Sequence, residues 1–174
     1  MKKLLLHTCC GPCLLSAQLA LREKYHIIPF WYNPNIHPYR EFKRRLNAFK
    51  EVVGENESII DNTYDLKLYF NAVEWGDNRC EGCYRLRLSR SADIAREAGI
   101  DLFTTTLLIS PYQDISLICD TGREEGIRAG VGFLCQDMRE HYEEGHQMAR
   151  DMGLYMQGYC GCVFSEEERY RKKK

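Results

Sequence analysis

Short apolar runs alternate with helix-length segments along most of this chain. The first apolar run covers residues 2–7, a helical segment covers 12–24, and a β-rich run follows at 26–32. Strands separated by helices of ten or more residues form parallel sheets with right-handed crossovers, so the pattern predicts an α/β fold. Binding sites in such sheets lie beyond the carboxyl ends of the strands.

The remaining segments continue this alternation, and no repeat or linker interrupts it. We therefore expect residues 1–174 to form one catalytic α/β domain that ends in a short, charged, basic tail over 166–174. The other predicted elements are a helix over 39–53, a strand over 58–60, a helix over 66–75, a helix over 80–98 closed by Gly99, a strand over 102–109, a helix over 111–129, a strand over 132–135, a helix over 138–152 and a loop over 159–162.

Composition and charge exclude several classes of protein. The chain is 44% hydrophobic and 28% charged, as ordinary globular proteins are. Its 24 basic and 25 acidic residues argue against nucleic-acid binding by bulk charge, although a local basic face is compatible with them. The sequence has neither the apolar run of a signal peptide nor the roughly 18 apolar residues of a membrane span. We expect a cytoplasmic protein, with no membrane partner, whose cysteines are reduced, metal-bound or catalytic.

The nine cysteines are the strongest functional signal. One group follows the first strand and a second lies where a helix starts, and at both positions backbone N–H groups and the helix dipole stabilise thiolates. Four thiolates from these groups would hold zinc or an iron–sulfur cluster, and adjacent cysteines at the active end of a sheet favour the cluster. Seven of the nine cysteines fall into three groups, Cys9-Cys10-x-x-Cys13, Cys80-x-x-Cys83 and Cys160-x-Cys162.

The other cysteines have several interpretations. Cys13 is a fifth ligand, a thiol of low pKa, or a small hydrophobe turned into the sheet, and we favour the last. Cys119 and Cys135 lie among apolar residues and are predicted to be packing residues without a functional role.

Cys160 and Cys162 are separated by a single glycine. Their Cα atoms are at most about 7 Å apart, at the edge of disulfide geometry. A disulfide there would be readily reduced, so the pair is suited to store and deliver two electrons. The alternatives are a second metal site or an unremarkable chain end.

Histidines and basic residues are weaker candidates. We expect His7 to be a buried, hydrogen-bonded histidine, whereas His37 either binds a polar substrate or only belongs to a turn. The basic sets permit an anionic partner such as RNA, with solvated helix faces as the alternative. These sets are Arg40, Lys43, Arg44 and Arg45; Arg79, Arg85, Arg87 and Arg90; and Arg169, Arg171, Lys172, Lys173 and Lys174.

Five short segments follow one another from residue 7 to residue 162. They are HTCCGPC at 7–13, YNPNI at 32–36, RCEGCY at 79–84 with RL at 87–88, TTLLISP at 105–111 and YCGC at 159–162. Together these segments resemble the cobalamin-independent epoxyqueuosine reductases of the QueH type. The resemblance covers nearly the whole chain, and the combination is more specific than any single segment.

The resemblance implies a Rossmann-like, nucleotide-hydrolase-like parallel sheet, in which Cys9 and Cys10 replace the pyrophosphate loop of tRNA-thiolating enzymes. It also implies the last step of queuosine biosynthesis, reduction of the epoxide of epoxyqueuosine at the wobble position of a tRNA. An electron donor that the sequence does not identify would supply the electrons. The implied ligands of a [4Fe–4S] cluster are Cys9, Cys10, Cys80 and Cys83, the implied redox-active disulfide is Cys160 with Cys162, and an additional iron ion is compatible with the set.

Three points stay open at this stage. Tyr32, His7 or a cysteine thiol would donate protons, and the cluster would either bind the epoxide oxygen or only relay electrons. One alternative function is an iron–sulfur-dependent tRNA sulfurtransferase, but no Gly-rich phosphate loop follows the first strand. The other is a zinc-stabilised RNA-binding module without reductase chemistry.

Overall fold

A computed structural model describes residues 1–73 and 78–171. Five parallel strands form one sheet in the order β3-β2-β1-β4-β5, flanked by helices, which confirms the predicted α/β fold. The strands are β1 (Lys2–Thr8), β2 (Tyr25–Trp31), β3 (Ile59–Ile60), β4 (Leu102–Thr105) and β5 (Gly132–Phe133). The helices are α1 (Gly11–Leu21), α2 (Tyr39–Val53), α3 (Leu66–Ala72), α4 (Arg79–Glu97), α5 (Ile115–Ala129), α6 (Tyr142–Asp151) and α7 (Val163–Tyr170).

Strand β1 is the centre of the sheet and of the apolar core. It pairs with β2 on one side and β4 on the other, and the side chains of Leu4, Leu5 and Leu6 are fully buried. The chain order reverses beside β1, which is where open parallel sheets leave a crevice for ligands. Cys9 follows β1 and Thr106 follows β4, so both residues lie at this crevice.

Close helix packing accounts for the glycine in the first cysteine motif. Gly11 begins α1, where it faces α2, and a Cβ atom there would lie 2.8 Å from the Ala48 carbonyl oxygen. Any larger residue at position 11 would push α1 and α2 apart. The α1 end of the cysteine group is thereby fixed against α2.

The predicted strand over 102–109 and the helix predicted to start at Pro111 are both wrong in extent. Strand β4 ends at Thr105, whose hydroxyl accepts the Leu107 N–H at 3.2 Å and turns residues 106–109 into a 3₁₀ helix. Helix α5 begins only at Ile115, because the Asp114 carboxylate caps it by accepting the Leu117 N–H at 3.0 Å.

Part of the charged tail is helical, which the sequence does not predict, since residues 163–170 form helix α7. Its N-cap is Cys162, whose sulfur accepts the Ser165 N–H at 3.4 Å. Residues 172–174 of the predicted tail and residues 74–75 of the predicted third helix lie outside the described residues. The helix predicted over 138–152 is α6 preceded by a short 3₁₀ turn.

Cys119 and Cys135 correct another expectation. Cys119 is buried on α5 as predicted, but the two residues form a disulfide with Cα atoms 5.4 Å apart instead of packing as separate thiols. Sequence reasoning missed the pair because 16 residues and a helix end separate them.

None of the helices in the described part of the chain combines the length and the hydropathy needed to cross a bilayer.

Candidate metal and redox site

Two of the three cysteine groups line one cavity beyond the carboxyl ends of β1 and β4, whereas Cys80 and Cys83 of the second group are not among its lining residues. The cavity has a volume of about 690 Å³, which is within the range of small-molecule sites. Its wall includes Cys9, Cys13, Arg87, Thr106, Gln157 and Cys160.

The first group brings three sulfur atoms together. The Sγ atoms of Cys9, Cys10 and Cys13 all lie within 4.8 Å of one another, an arrangement of soft donors that suits a thiophilic metal ion or cluster. Cys10 is the N-cap of α1, and its sulfur accepts the Cys13 N–H at 3.3 Å. Cys13 therefore does not turn away into the sheet, as the sequence favoured, but joins the other two thiols.

Hydrogen bonds make Cys9 the most acidic of these thiols. The thiols of Cys10 and Cys13, and then the Thr106 hydroxyl at 3.3 Å, hold the pKa of Cys9 well below its usual value. Burial raises the pKa of Cys10, although the Gln157 amide donates to its sulfur at 3.0 Å. Metal binding would displace protons from the remaining thiols.

The second group lies at the start of α4. Cys80 is exposed and Cys83 is buried one turn along, where burial raises the pKa of its thiol to about 12. Arg87 lies one turn further and donates from Nη2 to Cys83 Sγ at 3.3 Å. The Arg87 side chain is almost wholly buried, and its charge acts on Cys83, Cys160 and Cys9. One buried cation thus interacts with a cysteine from each of the three groups.

The third group is held by α2 and the loop before it. Arg45 donates from Nη1 to the Cys160 carbonyl at 2.7 Å and from Nη2 to the Tyr159 carbonyl at 2.8 Å. The His37 N–H donates to the Gly161 carbonyl at 2.7 Å. Gly161 has φ +149°, and a Cβ atom there would lie 3.3 Å from Arg45 Nη1, so this position requires glycine.

Arg45 is therefore not part of an RNA-binding surface, as its basic set suggested. Its guanidinium is 1% exposed and forms a buried ion pair with Glu41 at 2.8 Å. Sequence reasoning could detect the i, i+4 spacing to Glu41 but not the two carbonyl groups far along the chain.

His37 has a structural role, which decides between its two interpretations. It is buried, its ring packs against Tyr69 with centroids 4.7 Å apart, and burial lowers its pKa. Its Nδ1 accepts the Val163 N–H at 3.2 Å, so the neutral ring docks the start of α7.

The two cysteines of the third group are free thiols with different environments. Hydrogen bonds from the Ser165 side chain and N–H outweigh burial and lower the pKa of Cys162, which is the N-cap of α7. Desolvation raises the pKa of Cys160, and the Gln113 amide donates to its sulfur at 3.4 Å. The pair therefore combines an acidic thiol with one that retains its proton.

His7 is the buried, hydrogen-bonded residue that the sequence predicts. Its ring nitrogens pair with the Thr105 hydroxyl at 2.8 Å and the Tyr32 carbonyl at 3.0 Å, and burial lowers its pKa to about 4. Among the described residues, neither His7 nor Tyr32 lines the cavity, so neither is placed to donate a proton there.

Comparison with known proteins identifies the family of this chain. The profile of the family described as "Epoxyqueuosine reductase QueH" matches residues 4–168. A protein named epoxyqueuosine reductase QueH from Dehalococcoides mccartyi is 36% identical over 98% of this chain and 96% of its own length. One from Thermotoga maritima is 34% identical over 99% of this chain and 94% of its own. The chain therefore belongs to the epoxyqueuosine reductase QueH family of oxidoreductases.

Proposed function

We propose that this protein, as a single catalytic domain in the cytoplasm, reduces the epoxide of epoxyqueuosine in tRNA, which gives queuosine and water. The observation that carries the proposal is that Cys9, Cys13 and Cys160 line one cavity together with the buried Arg87, whose charge also acts on Cys83 of the remaining cysteine group. The cavity has a size suited to one nucleoside, and its wall carries both clustered thiols and a separate thiol of the Cys160-x-Cys162 pair.

The proposed cofactor is a [4Fe–4S] cluster held by Cys9, Cys10, Cys80 and Cys83. When bound, such a cluster supplies electrons one at a time. The sulfur atoms of Cys9 and Cys10, which lie together with that of Cys13, support the first two ligands. The position of Cys80 and Cys83 at the start of α4 supports the other two. Cys13 stays outside the set and is available to an additional iron ion.

The proposed two-electron reductant is the dithiol of Cys160 and Cys162. Removing the epoxide oxygen as water requires two electrons and two protons, and oxidation of a dithiol to a disulfide releases both. The balanced reaction is epoxide plus dithiol giving alkene, disulfide and water. The electron donor, which is not identified, then reduces the disulfide for the next turnover.

The two thiols of the pair and Arg87 have different roles in this reaction. Cys162 is the more acidic thiol, while Cys160 faces the cavity and keeps one of the two protons that the departing oxygen needs. The buried Arg87 stabilises the negative charge that thiolates bring into the site.

Anaerobic purification with iron and sulfide analysis, followed by incubation with epoxyqueuosine-containing tRNA and a reductant, tests the proposal. We expect iron, sulfide and visible absorption, and conversion to queuosine. Cys80→Ala combined with Cys83→Ala should lose the iron. Cys162→Ser should keep iron and tRNA binding but lose multiple turnover.

Each alternative has its own outcome in this experiment. Full iron content in the Cys80→Ala, Cys83→Ala protein would refute the ligand set, and iron loss in Cys162→Ser would make Cys162 a ligand. Zinc without visible absorption would indicate an RNA-binding module, and ATP-dependent thiolation of tRNA would indicate a sulfurtransferase.

A further inference from the structure

The rim of the cavity carries an aromatic ring that the fold does not use. Tyr112 lies in the turn between β4 and α5, and it is 84% exposed. Its backbone N–H is fixed by the Ser110 hydroxyl at 3.2 Å, so the turn is ordered although the ring is free. Within residues 1–73 and 78–171, no other ring stacks on Tyr112.

Two arginines on the same rim lack a carboxylate partner in the described part of the chain. Arg150 at the end of α6 donates only to the Gln147 side-chain oxygen, at 2.9 Å, and Arg169 on α7 is exposed. Glu168, the carboxylate that lines the cavity among the described residues, is already paired with Arg79. The rim therefore has an excess of positive charge.

The exposed arginines of α4 differ in this respect. Arg85 forms ion pairs with Glu124 and Glu125, and Arg90 pairs with Asp61. An arginine that is already paired with carboxylates binds a phosphate group more weakly than an unpaired arginine does. The charge available to an anionic ligand near the cavity is therefore concentrated at Arg150 and Arg169.

We propose that this rim binds the single-stranded nucleotides on either side of the nucleoside that enters the cavity. Tyr112 stacks on a neighbouring base, while Arg150 and Arg169 contact the flanking phosphates. This inference rests on the proposed function, because it takes the ligand to be an RNA loop. Single-stranded RNA is bound by this combination of aromatic stacking and arginine, and a base that reacts inside a pocket must leave its stack.

The size of the cavity supports this division between wall and rim. A volume of about 690 Å³ is suited to one nucleoside but not to a whole loop. The adjacent nucleotides must then remain at the opening, against the exposed lining residues Tyr112, Arg150 and Arg169.

Binding of a fluorescently labelled anticodon stem–loop RNA without the epoxide, followed by anisotropy over a range of salt concentrations, tests the rim. Tyr112→Ala should raise Kd about tenfold, as losing one base–aromatic stack does, while Tyr112→Phe keeps wild-type affinity. Arg150→Gln and Arg169→Gln should each flatten the slope of log affinity against log salt by about 0.7. The control Arg123→Gln removes an exposed arginine of α5 that is paired with Asp120, and it should leave Kd and slope unchanged.

Measuring the reaction itself distinguishes failure of the proposal that the rim binds RNA from failure of the proposed function. With the epoxyqueuosine-containing stem–loop, the rim variants should raise KM by the same factor as Kd and keep the iron content. Wild-type Kd and salt slope in all three rim variants would refute the proposal that the rim binds RNA, even if the wild type reduces the epoxide. RNA binding that depends on the rim, in a wild type that does not reduce the epoxide, would support the rim and refute the proposed function.

Discussion

Individual buried charges determine how the redox loop is held. Arg45 connects α2 to the carbonyl groups of Tyr159 and Cys160, and Glu41 balances its charge while also accepting the Tyr155 hydroxyl at 2.6 Å. Burying an ion pair is costly unless its hydrogen bonds are satisfied, and here the loop carbonyls satisfy them. The position of Cys160 therefore depends on a residue that never reaches the substrate.

Arg45→Met should lower the free energy of unfolding by about 3 to 5 kcal/mol, because Glu41 would be left buried without its partner. Urea denaturation followed by circular dichroism measures the loss. Adding Glu41→Gln to Arg45→Met should recover part of it, since the unpaired charge is then removed. Arg44→Met, an exposed neighbour on the same helix, should stay near wild type. A wild-type denaturation midpoint in Arg45→Met would contradict this account.

At the scale of elements, the sequence predicts those parts whose signals are local. The turn from β1 into α1 is predictable because Pro12 lies in the first turn of the helix, two residues after the capping residue Cys10. Helix α7 is not predictable, because its cap is the sulfur of Cys162, and sequence rules for caps rest on Ser, Thr, Asp and Asn. The hydrogen bond from Arg45 to the Cys160 carbonyl is not predictable from the sequence either, since the two residues are 115 positions apart.

Helix α2 has a second, exposed side. Arg40, Lys43 and Arg44 are exposed, and no carboxylate among the described residues forms an ion pair with them. Arg44 lies over the ring of Tyr155, 5.5 Å from its centroid, at the start of the segment that leads to Cys160. RNA binding by this helix therefore stays a prediction for three of the four basic residues in that set.

Replacing Arg40, Lys43 and Arg44 together by Gln should weaken binding of full-length tRNA and flatten its salt slope by about 2, because three phosphate contacts are lost. Filter binding at several salt concentrations measures both quantities. Iron content and the urea midpoint should not change, since these side chains lie outside the core. An unchanged salt slope would show that RNA does not reach α2.

For the whole molecule, buried histidines link stability to pH. Burial lowers the pKa of His7 to about 4, and it also lowers the pKa of His37 and His146. In the unfolded chain each would titrate near pH 6.5. Below that pH the unfolded chain binds more protons than the folded one, so the stability present at pH 7 is lost as the pH falls.

Between pH 7 and pH 5, His7 alone should remove about 2 kcal/mol from the free energy of unfolding. His146 adds to this loss, because its neutral ring donates one hydrogen bond from Nδ1 to the Tyr142 carbonyl (2.8 Å) and is otherwise buried. Anaerobic urea denaturation at the two pH values should therefore show a smaller loss in His146→Gln than in the wild type. The control Gln147→Ala replaces an exposed, non-titrating residue next to His146 on α6, and it should lose as much as the wild type does. Equal losses in His146→Gln and the wild type would mean that His146 is protonated in the folded protein without cost, contrary to its burial against α1 and the cavity wall.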